Sequence, residues 1–324
     1  MMLVGLGARD LATTRFAVSP LWEVVASVRI LRGARRFPEH LPWVERVRPR
    51  LAGLDWRILA DLVPDPAVVI PTFVCPPPAT SQPTLDVELA TLVATPAEAV
   101  RASLDGQPGP RPPRLTELYD DPPAGLARLA AVVRAYADVA IGPYWPRMRT
   151  LLEREVLLGA ARMATDGVQG LLNHLDPYVR LEGDTLHVEH LVASGEVRLD
   201  GRGLLLVPSV FAGPRVWSNF GSPGGQPVLR YPARAVATLW ERDPTPRGRG
   251  LARVLGRTRA ALLHELAVPT STSELADRCG LSPATVSAHL GALRDAGLVG
   301  AHRAGRFVLY ARTTAAEALV AAAP

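Results

Sequence analysis

The stretch LSPATVSAHLGALRDAGLVGAHRAGRFVLYAR, residues 281–312, decides how the last third of the chain folds. Ser282 stands where a helix N-cap is needed, Pro283 fits the first turn, and Val286, Leu290 and Leu293 recur at helical spacing. The spacing predicts a helix over 283–296 with a single buried stripe. With Val286 inward, a step of about 100° per residue turns Ala284, Thr285 and Ala288 outward and leaves Ser287 and His289 on the flanks. Small side chains let a helix sit deep in the major groove of double-stranded DNA. There Ser and Thr hydroxyls can bond base edges, and Ala or Thr methyls can touch the thymine methyl. After Gly297, the alternation of Phe307 and Leu309 with Val308 and Tyr310 about an Ala304-Gly305 tip predicts a hairpin. Arg303 and Arg306 flank that tip, as the arginines of a wing that reaches phosphates or the minor groove would.

Upstream, LARVLGRTRAALLHEL places Leu251, Val254, Leu255, Leu262, Leu263 and Leu266 on one apolar face and predicts a first helix ending before Pro269. Thr272 and Ser273 are placed to cap a short second helix, with Leu275 and Ala276 inward and Gly280 as its left-handed stop. Three helices and a charged hairpin make a winged helix-turn-helix. Its candidate DNA-binding residues are Thr272, Ser273, Ser282, Ala284, Thr285, Ser287, Ala288, His289, Arg303 and Arg306. A protein-interaction module is the competing reading of the same fold, and a structural histidine the competing reading of His289.

Charge favours nucleic acid. The chain has 36 basic residues, all arginine, against 31 acidic ones. Residues 245–324 hold ten arginines and five acids, whereas the remainder holds 26 of each. A codon bias towards arginine would spread over the chain, whereas a surplus confined to one small domain is what phosphate neutralisation requires.

The 324 residues, 48% of them hydrophobic, are enough for two folded units. PTPRGRG, residues 244–250, reads as a linker, which divides the chain into an N-terminal domain (1–243) and a DNA-binding domain (251–324). In the first, RFAVSPLWEVVASVRILRGA predicts an amphipathic helix capped by Ser19, and a second helix is expected around 51–62. A longer helical region runs over 123–174 with a break at Gly142-Pro143. Pro-rich stretches at 63–84 and 105–123 read as loops. From residue 186 to 231, short Val- and Leu-rich runs parted by Gly-containing turns predict a small antiparallel sheet, with Asp200-Gly201 as a hairpin turn. The fold class is therefore α+β.

Other chemistry finds little support. There is no apolar run of about 18 residues and no leader-like N-terminus, so the expected location is cytoplasmic, away from membranes. Cys75 and Cys279 are too far apart in sequence to suggest a disulfide framework and read as buried thiols. His187 and His190 lie three apart on a strand and face opposite ways, so no metal site is expected. The 221–225 loop lacks the Lys-Ser/Thr and helix of a phosphate cradle. Ser209, Ser218 and Ser222 lack a nucleophile-elbow context and no acid pair stands out, so neither an enzyme nor a cofactor is expected. Trp22, Trp43, Trp56, Tyr144, Trp145, Trp217 and Phe220 either line a small-molecule pocket or fill a core.

The Ser-x-His-Leu, Leu-x-x-Ala-Gly-Leu-Val and Arg-x-Gly-Arg-x-x-x-Tyr spacings of 281–312 resemble those of the arsenic-sensor-repressor (ArsR-like) winged-helix family over about 60 residues. The resemblance implies a cytoplasmic, usually dimeric operator-binding regulator, often a repressor released by a ligand. It also implies DNA-facing roles for Ser282, Thr285, Ser287 and His289 and wing contacts for Arg303 and Arg306. Cys279 has no Cys-x-Cys neighbour, so the thiolate site of metal-sensing members is absent. The first 240 residues are similar to an uncharacterised domain fused to such winged helices in high-GC Gram-positive bacteria. The resulting expectation is a homodimeric repressor on a two-fold operator, with an N-terminal domain that dimerises and senses a ligand or a protein, the candidate ligand being an unknown small-molecule effector. The alternatives are an enzyme tethered to a DNA-binding module and a purely structural N-terminal domain.

Overall fold

The computed structural model describes residues 1–63, 69–190, 194–220, 225–240, 249–304 and 307–322. Two compact units divide the chain, Met1–Trp240 and Glu241–Pro324. Of the expected linker at 244–250, all but the last two residues lie outside the described ones. Helices and mixed sheets together make the protein α+β.

The N-terminal unit opens with β1 (Met2–Gly5), α1 (Ala8–Ala12), β2 (Arg15–Phe16) and α2 (Pro20–Arg32). The Ser19 hydroxyl caps α2 by accepting the Trp22 N–H at 3.0 Å, with Pro20 in the first turn. Amphipathic, as expected from the spacing, α2 is not: every residue from Pro20 to Leu31 is buried. A helix covered on all sides must satisfy its polar side chains inside the protein. Glu23 Oε1 accepts the Val210 N–H at 3.0 Å, and the Ser27 hydroxyl lies 2.9 Å from that of Tyr136. Arg29 Nη2 donates to the carbonyls of Phe211, Ala212 and Gly213 at 2.7, 2.9 and 2.6 Å. Its guanidinium also lies over the rings of Phe37 and Trp217, at 4.6 and 5.3 Å.

Around α2 pack α3 (Leu41–Val47), α4 (Arg57–Leu62), α5 (Leu85–Val93), α6 (Ala97–Asp105), α7 (Pro113–Asp120), α8 (Pro122–Ala140) and α9 (Trp145–Leu172). The break at Gly142-Pro143 separates α8 from α9 as the sequence predicts. Two expectations are corrected. The helix read over 51–62 forms only at Arg57–Leu62, because the segment before it is a series of turns. The stretch at 105–123, read as a loop, contains α7, whose first turn begins at Pro113, where the missing N–H costs nothing.

Six further strands follow: β3 (Val179–Glu182), β4 (Thr185–Val188), β5 (Gly195–Arg198), β6 (Leu205–Ser209), β7 (Trp217–Asn219) and β8 (Val228–Pro232). They do not make one antiparallel sheet. One four-stranded sheet runs β3-β4-β1-β5 and another β2-β6-β8-β7, each completed by an N-terminal strand and each mixing parallel and antiparallel pairs. Asp200-Gly201 (φ 52° and 78°) joins β5 to β6, which lie in different sheets, so it is a crossover turn rather than a hairpin. Asp10 fixes that crossover, accepting the Gly203 N–H at 2.9 Å with one oxygen and the Gly7 N–H at 2.9 Å with the other. Residue 203 must be glycine here: φ is +72°, and a Cβ would meet the Thr13 hydroxyl oxygen at 2.4 Å. The sheets enclose a second core that includes Leu186, Leu206 and Leu229.

The C-terminal unit contains α10 (Arg249–Leu255), α11 (Arg257–Glu265), β9 (Thr270–Ser271), α12 (Thr272–Cys279), α13 (Pro283–Asp295), β10 (Val299–Ala304), β11 (Phe307–Arg312) and α14 (Thr314–Ala322). The single helix expected over 251–266 is two helices, broken where Gly256 adopts φ +84° and ψ 151°. The break takes Val254 off the expected apolar face and leaves it 79% exposed, while Leu251, Leu262, Leu263 and Leu266 enter the core.

Candidate nucleic-acid interface

The interface is built from the α12-turn-α13 segment and the hairpin after it. α12 starts one residue ahead of the expected caps. Ser271, still extended as the end of β9, accepts the Glu274 N–H at 3.3 Å. Thr272 and Ser273 are already helical and so cannot supply that cap. Thr272 is half-buried and Ser273 exposed. Gly280 ends the helix at φ 64° and ψ 34°, and the Leu281 N–H closes the turn on the Ala276 carbonyl at 3.0 Å. Leu275 and Ala276 are buried, as predicted.

α13 follows within three residues. Ser282 caps it by accepting the Thr285 N–H at 3.2 Å, and the two hydroxyls of Ser282 and Thr285 lie 2.8 Å apart. Val286, Leu290 and Leu293 are its buried residues. Ser282, Ala284, Thr285, Ser287 and Ala288 are exposed, and His289 is half-buried with no hydrogen-bond partner among the described residues. The outward face therefore carries hydroxyls and methyls and no long side chain over its first two turns. Gly297 (φ 71°) reverses the chain, with the Leu298 N–H donating to the Leu293 carbonyl at 2.9 Å.

The hairpin β10–β11 pairs Val299 with Arg312 through to Ala304 with Phe307, and β9 adds a third strand through Leu309↔Ser271 and Tyr310↔Thr270. Arg303 is exposed opposite Val308. Arg306 lies outside the described residues. Two arginines of this unit are occupied: Arg278 pairs with Glu274 at 2.6 Å and Arg312 with Glu317 at 3.5 Å. Arg253, Arg257, Arg259, Arg294 and Arg303 are exposed with no acidic partner among the described residues, which leaves their charge available to an anionic partner.

The candidates in the N-terminal unit have local partners. His187 Nε2 is 3.8 Å from Glu182 across the β3–β4 hairpin, and His190 Nε2 is 2.8 Å from the Ser218 hydroxyl. Among the described residues no three His, Cys, Asp or Glu side chains could hold a metal ion together. Cys75 is buried, but Cys279 is only half-buried, which corrects its reading as a buried thiol. Trp22 and Trp43 belong to the α2 core and Phe220 to the sheet core, so the seven aromatic residues do not line one pocket. Trp145 lines a cavity of about 390 Å³.

Sequence reasoning missed the buried charges of this unit. Burial pushes the Glu23 carboxyl up to about 8 and the Glu88 carboxyl up to about 7, although Ser19 and the Leu21 N–H both donate to Glu88, at 2.6 and 2.8 Å. Arg230, whose guanidinium lies 4.6 Å over the Trp22 ring, donates to the Cys75 carbonyl at 2.8 Å. The available signal was the run Val24, Val25, Ala26 and Val28, which spreads apolar side chains around more of α2 than one stripe and leaves little room for a solvent face.

Residues 255–299 match the family model of a helix-turn-helix domain, from the end of α10 to the start of β10. Residues 97–237 match the model of a family of unknown function. A solved structure of "the predicted DNA-binding transcriptional regulator from E. coli" is 28% identical over 24% of this chain and 85% of its own, with a TM-score of 0.20. No curated protein matches the chain. No helix among the described residues is long and apolar enough to cross a membrane. The C-terminal unit contains a helix-turn-helix domain.

Proposed function

We propose that the protein is a transcriptional repressor that binds a two-fold operator as a homodimer, with α13 in the major groove and the β10–β11 hairpin as its wing. The observation that carries this reading is the face of α13. Ser282, Ala284, Thr285, Ser287 and Ala288 stand open to solvent, with Ala284 and Ala288 opposite the buried stripe of Val286, Leu290 and Leu293 and Thr285 and Ser287 to either side. A solvent-facing helix of a soluble domain ordinarily carries long charged side chains, whereas a face this short admits close approach to base edges. Thr285 and Ser287 are assigned to base contacts, and Arg303 and Arg306 to phosphates or the minor groove. The N-terminal unit is assigned to dimerisation and to sensing an effector.

The test is selection of genomic DNA fragments by the purified protein at about 150 mM salt, which suppresses nonspecific electrostatic binding. The expected result is an enriched palindrome with half-sites about one helical turn apart. A bound pool indistinguishable from the input overturns the reading. Repression is checked by placing the enriched site ahead of a reporter and deleting the gene for the protein, which should raise expression.

A further inference from the structure

We propose that the cavity at the α8–α9 elbow binds a small organic cation with an aromatic or branched apolar body. The proposal deepens the effector part of the reading above, but the binding site itself stands or falls without DNA.

The cavity has a volume of about 390 Å³, within the range that accommodates a small organic ligand. Its apolar walls come from Val18, Pro20 and Val24 around the start of α2, Leu85 at the start of α5, and Ile141 and Trp145 at the elbow. Three charged side chains reach it: Asp138, Arg149 and Glu153. The one cation is already occupied, since Arg149 Nε bonds Glu153 at 2.8 Å and its Nη2 bonds the Gln82 side-chain oxygen at 3.0 Å. One positive source that would favour an anion is also spent: at the N-terminus of α2 the Leu21 and Trp22 N–H groups go to Glu88 and Ser19. Asp138 is different. It is exposed, has no partner among the described residues, and sits in the last turn of α8, where the helix dipole adds negative potential. The lining thus carries one uncompensated negative charge and an indole ring in the same cavity, a combination that favours an ammonium over a carboxylate. A cation seated there would touch Pro20 and Val24 of α2, the central helix of the unit's larger core.

The experiment titrates the full chain by calorimetry with benzyltrimethylammonium and with phenethyl- and naphthylmethyl-trimethylammonium. Neopentylbenzene serves as the neutral isostere and 3-phenylpropionate as the anionic counterpart. At least one of the cations should bind, more tightly than either counterpart. Asp138→Asn should weaken it by about tenfold or more, and Asp138→Arg should shift preference towards phenylpropionate. Leu85→Trp, which fills the cavity from its rim, should abolish binding. Unchanged tryptophan fluorescence and thermal unfolding of the Asp138 variants confirm that they are folded. Absence of binding by all three cations at about 10 mM, equal binding of phenylpropionate, or an Asp138→Asn variant that binds as well as the parent overturns the proposal. Because no arm of this test contains DNA, its failure is distinct from failure to enrich an operator.

Discussion

Two helices of this protein, one in each unit, begin alike and end in opposite environments. Both α2 and α13 are 13 residues long, and both start with a serine cap followed by proline, Ser19-Pro20 and Ser282-Pro283. In both, the cap hydroxyl accepts an N–H three residues on, from Trp22 and from Thr285. Yet α2 is buried along almost its whole length, while α13 buries three residues. Local start signals specify that a helix forms; the side chains around its circumference decide what it becomes. In α2 the polar residues Glu23, Ser27 and Arg29 are tied into the protein, and in α13 the polar residues remain available. The charged side chains of α2 serve the fold, whereas the hydroxyls of α13 stay open to a partner, and the proposed recognition role rests on that difference.

The largest effect should come from breaking the satisfaction of α2. Arg29→Ala leaves the carbonyls of Phe211 and Gly213 without their donor, leaves that of Ala212 with only the Trp217 Nε1–H at 3.1 Å, and removes a guanidinium that lies over two rings. Each unsatisfied buried polar group costs about 1 to 3 kcal/mol, so a loss of roughly 3 kcal/mol or more is expected. All six tryptophans lie at or before Trp240, so tryptophan fluorescence reports the N-terminal unit alone. The variant should lower the midpoint of that transition sharply. A midpoint unchanged within error would mean that the Phe211 and Gly213 carbonyls do not depend on Arg29.

A smaller effect follows from the buried carboxyls. Glu23 titrates at about 8 and Glu88 at about 7 in the fold, against about 4.5 in an unfolded chain. Both pKa values are raised, so the folded state holds these protons more tightly. The contribution to stability is complete below about pH 4.5 and is lost as pH rises through 7 and 8. Asp10 works in the opposite sense at lower pH: burial raises its pKa, but hydrogen bonds from Gly203, Gly7 and Gly201 outweigh that and hold it below 3.8. Between pH 5 and 8 the tryptophan-reported stability should therefore fall. Glu23→Gln keeps an oxygen for the Val210 N–H and has no charge to bury, so it should flatten that fall. An unaltered pH profile in Glu23→Gln would show that Glu23 is not the group that titrates.

The contrast between the two helices also shows which features the sequence makes legible. α13 could be read residue by residue, since its cap, buried stripe and outward face depend on spacing within one helix. The position of α12 was legible to within one residue, because its cap depended on where β9 ended. α2 was recognised as a helix but not as a buried one, since periodicity cannot reveal that Val210, Tyr136 and Phe211 arrive from distant parts of the chain to meet its polar groups. The same limit explains the sheets. The runs from 186 to 231 read as neighbours, but β1 and β2 complete their sheets from the far end of the sequence, and no local pattern records that pairing. The cavity beside Trp145 is formed by four segments and was likewise invisible.

On the α13 side the expected effects concern binding rather than folding. Thr285→Ala should leave the tryptophan transition unchanged and cost roughly 1 to 3 kcal/mol at particular base pairs of the enriched operator, relaxing preference there. The Ser282–Thr285 hydroxyl contact, at 2.8 Å, orients the threonine side chain. Ser282→Ala should therefore relax the same base positions while also weakening the cap by about 1 kcal/mol. Unchanged base preference in Thr285→Ala would place the reading face elsewhere on α13.

The smallest expected effect belongs to Arg303, and it differs in kind from that of Thr285. Arg303 is exposed on the hairpin and has no acidic partner among the described residues, so its removal breaks nothing inside the fold. A phosphate contact contributes through counterion release, which is the same for every sequence. Arg303→Ala should accordingly weaken operator and nonspecific DNA by a similar factor and reduce the slope of log affinity against log salt by about one. Thr285→Ala should leave that slope alone while changing the ratio between operators. If Arg303→Ala instead alters the ratio and spares the slope, the wing arginine reads minor-groove shape, and sequence recognition is shared between α13 and the hairpin.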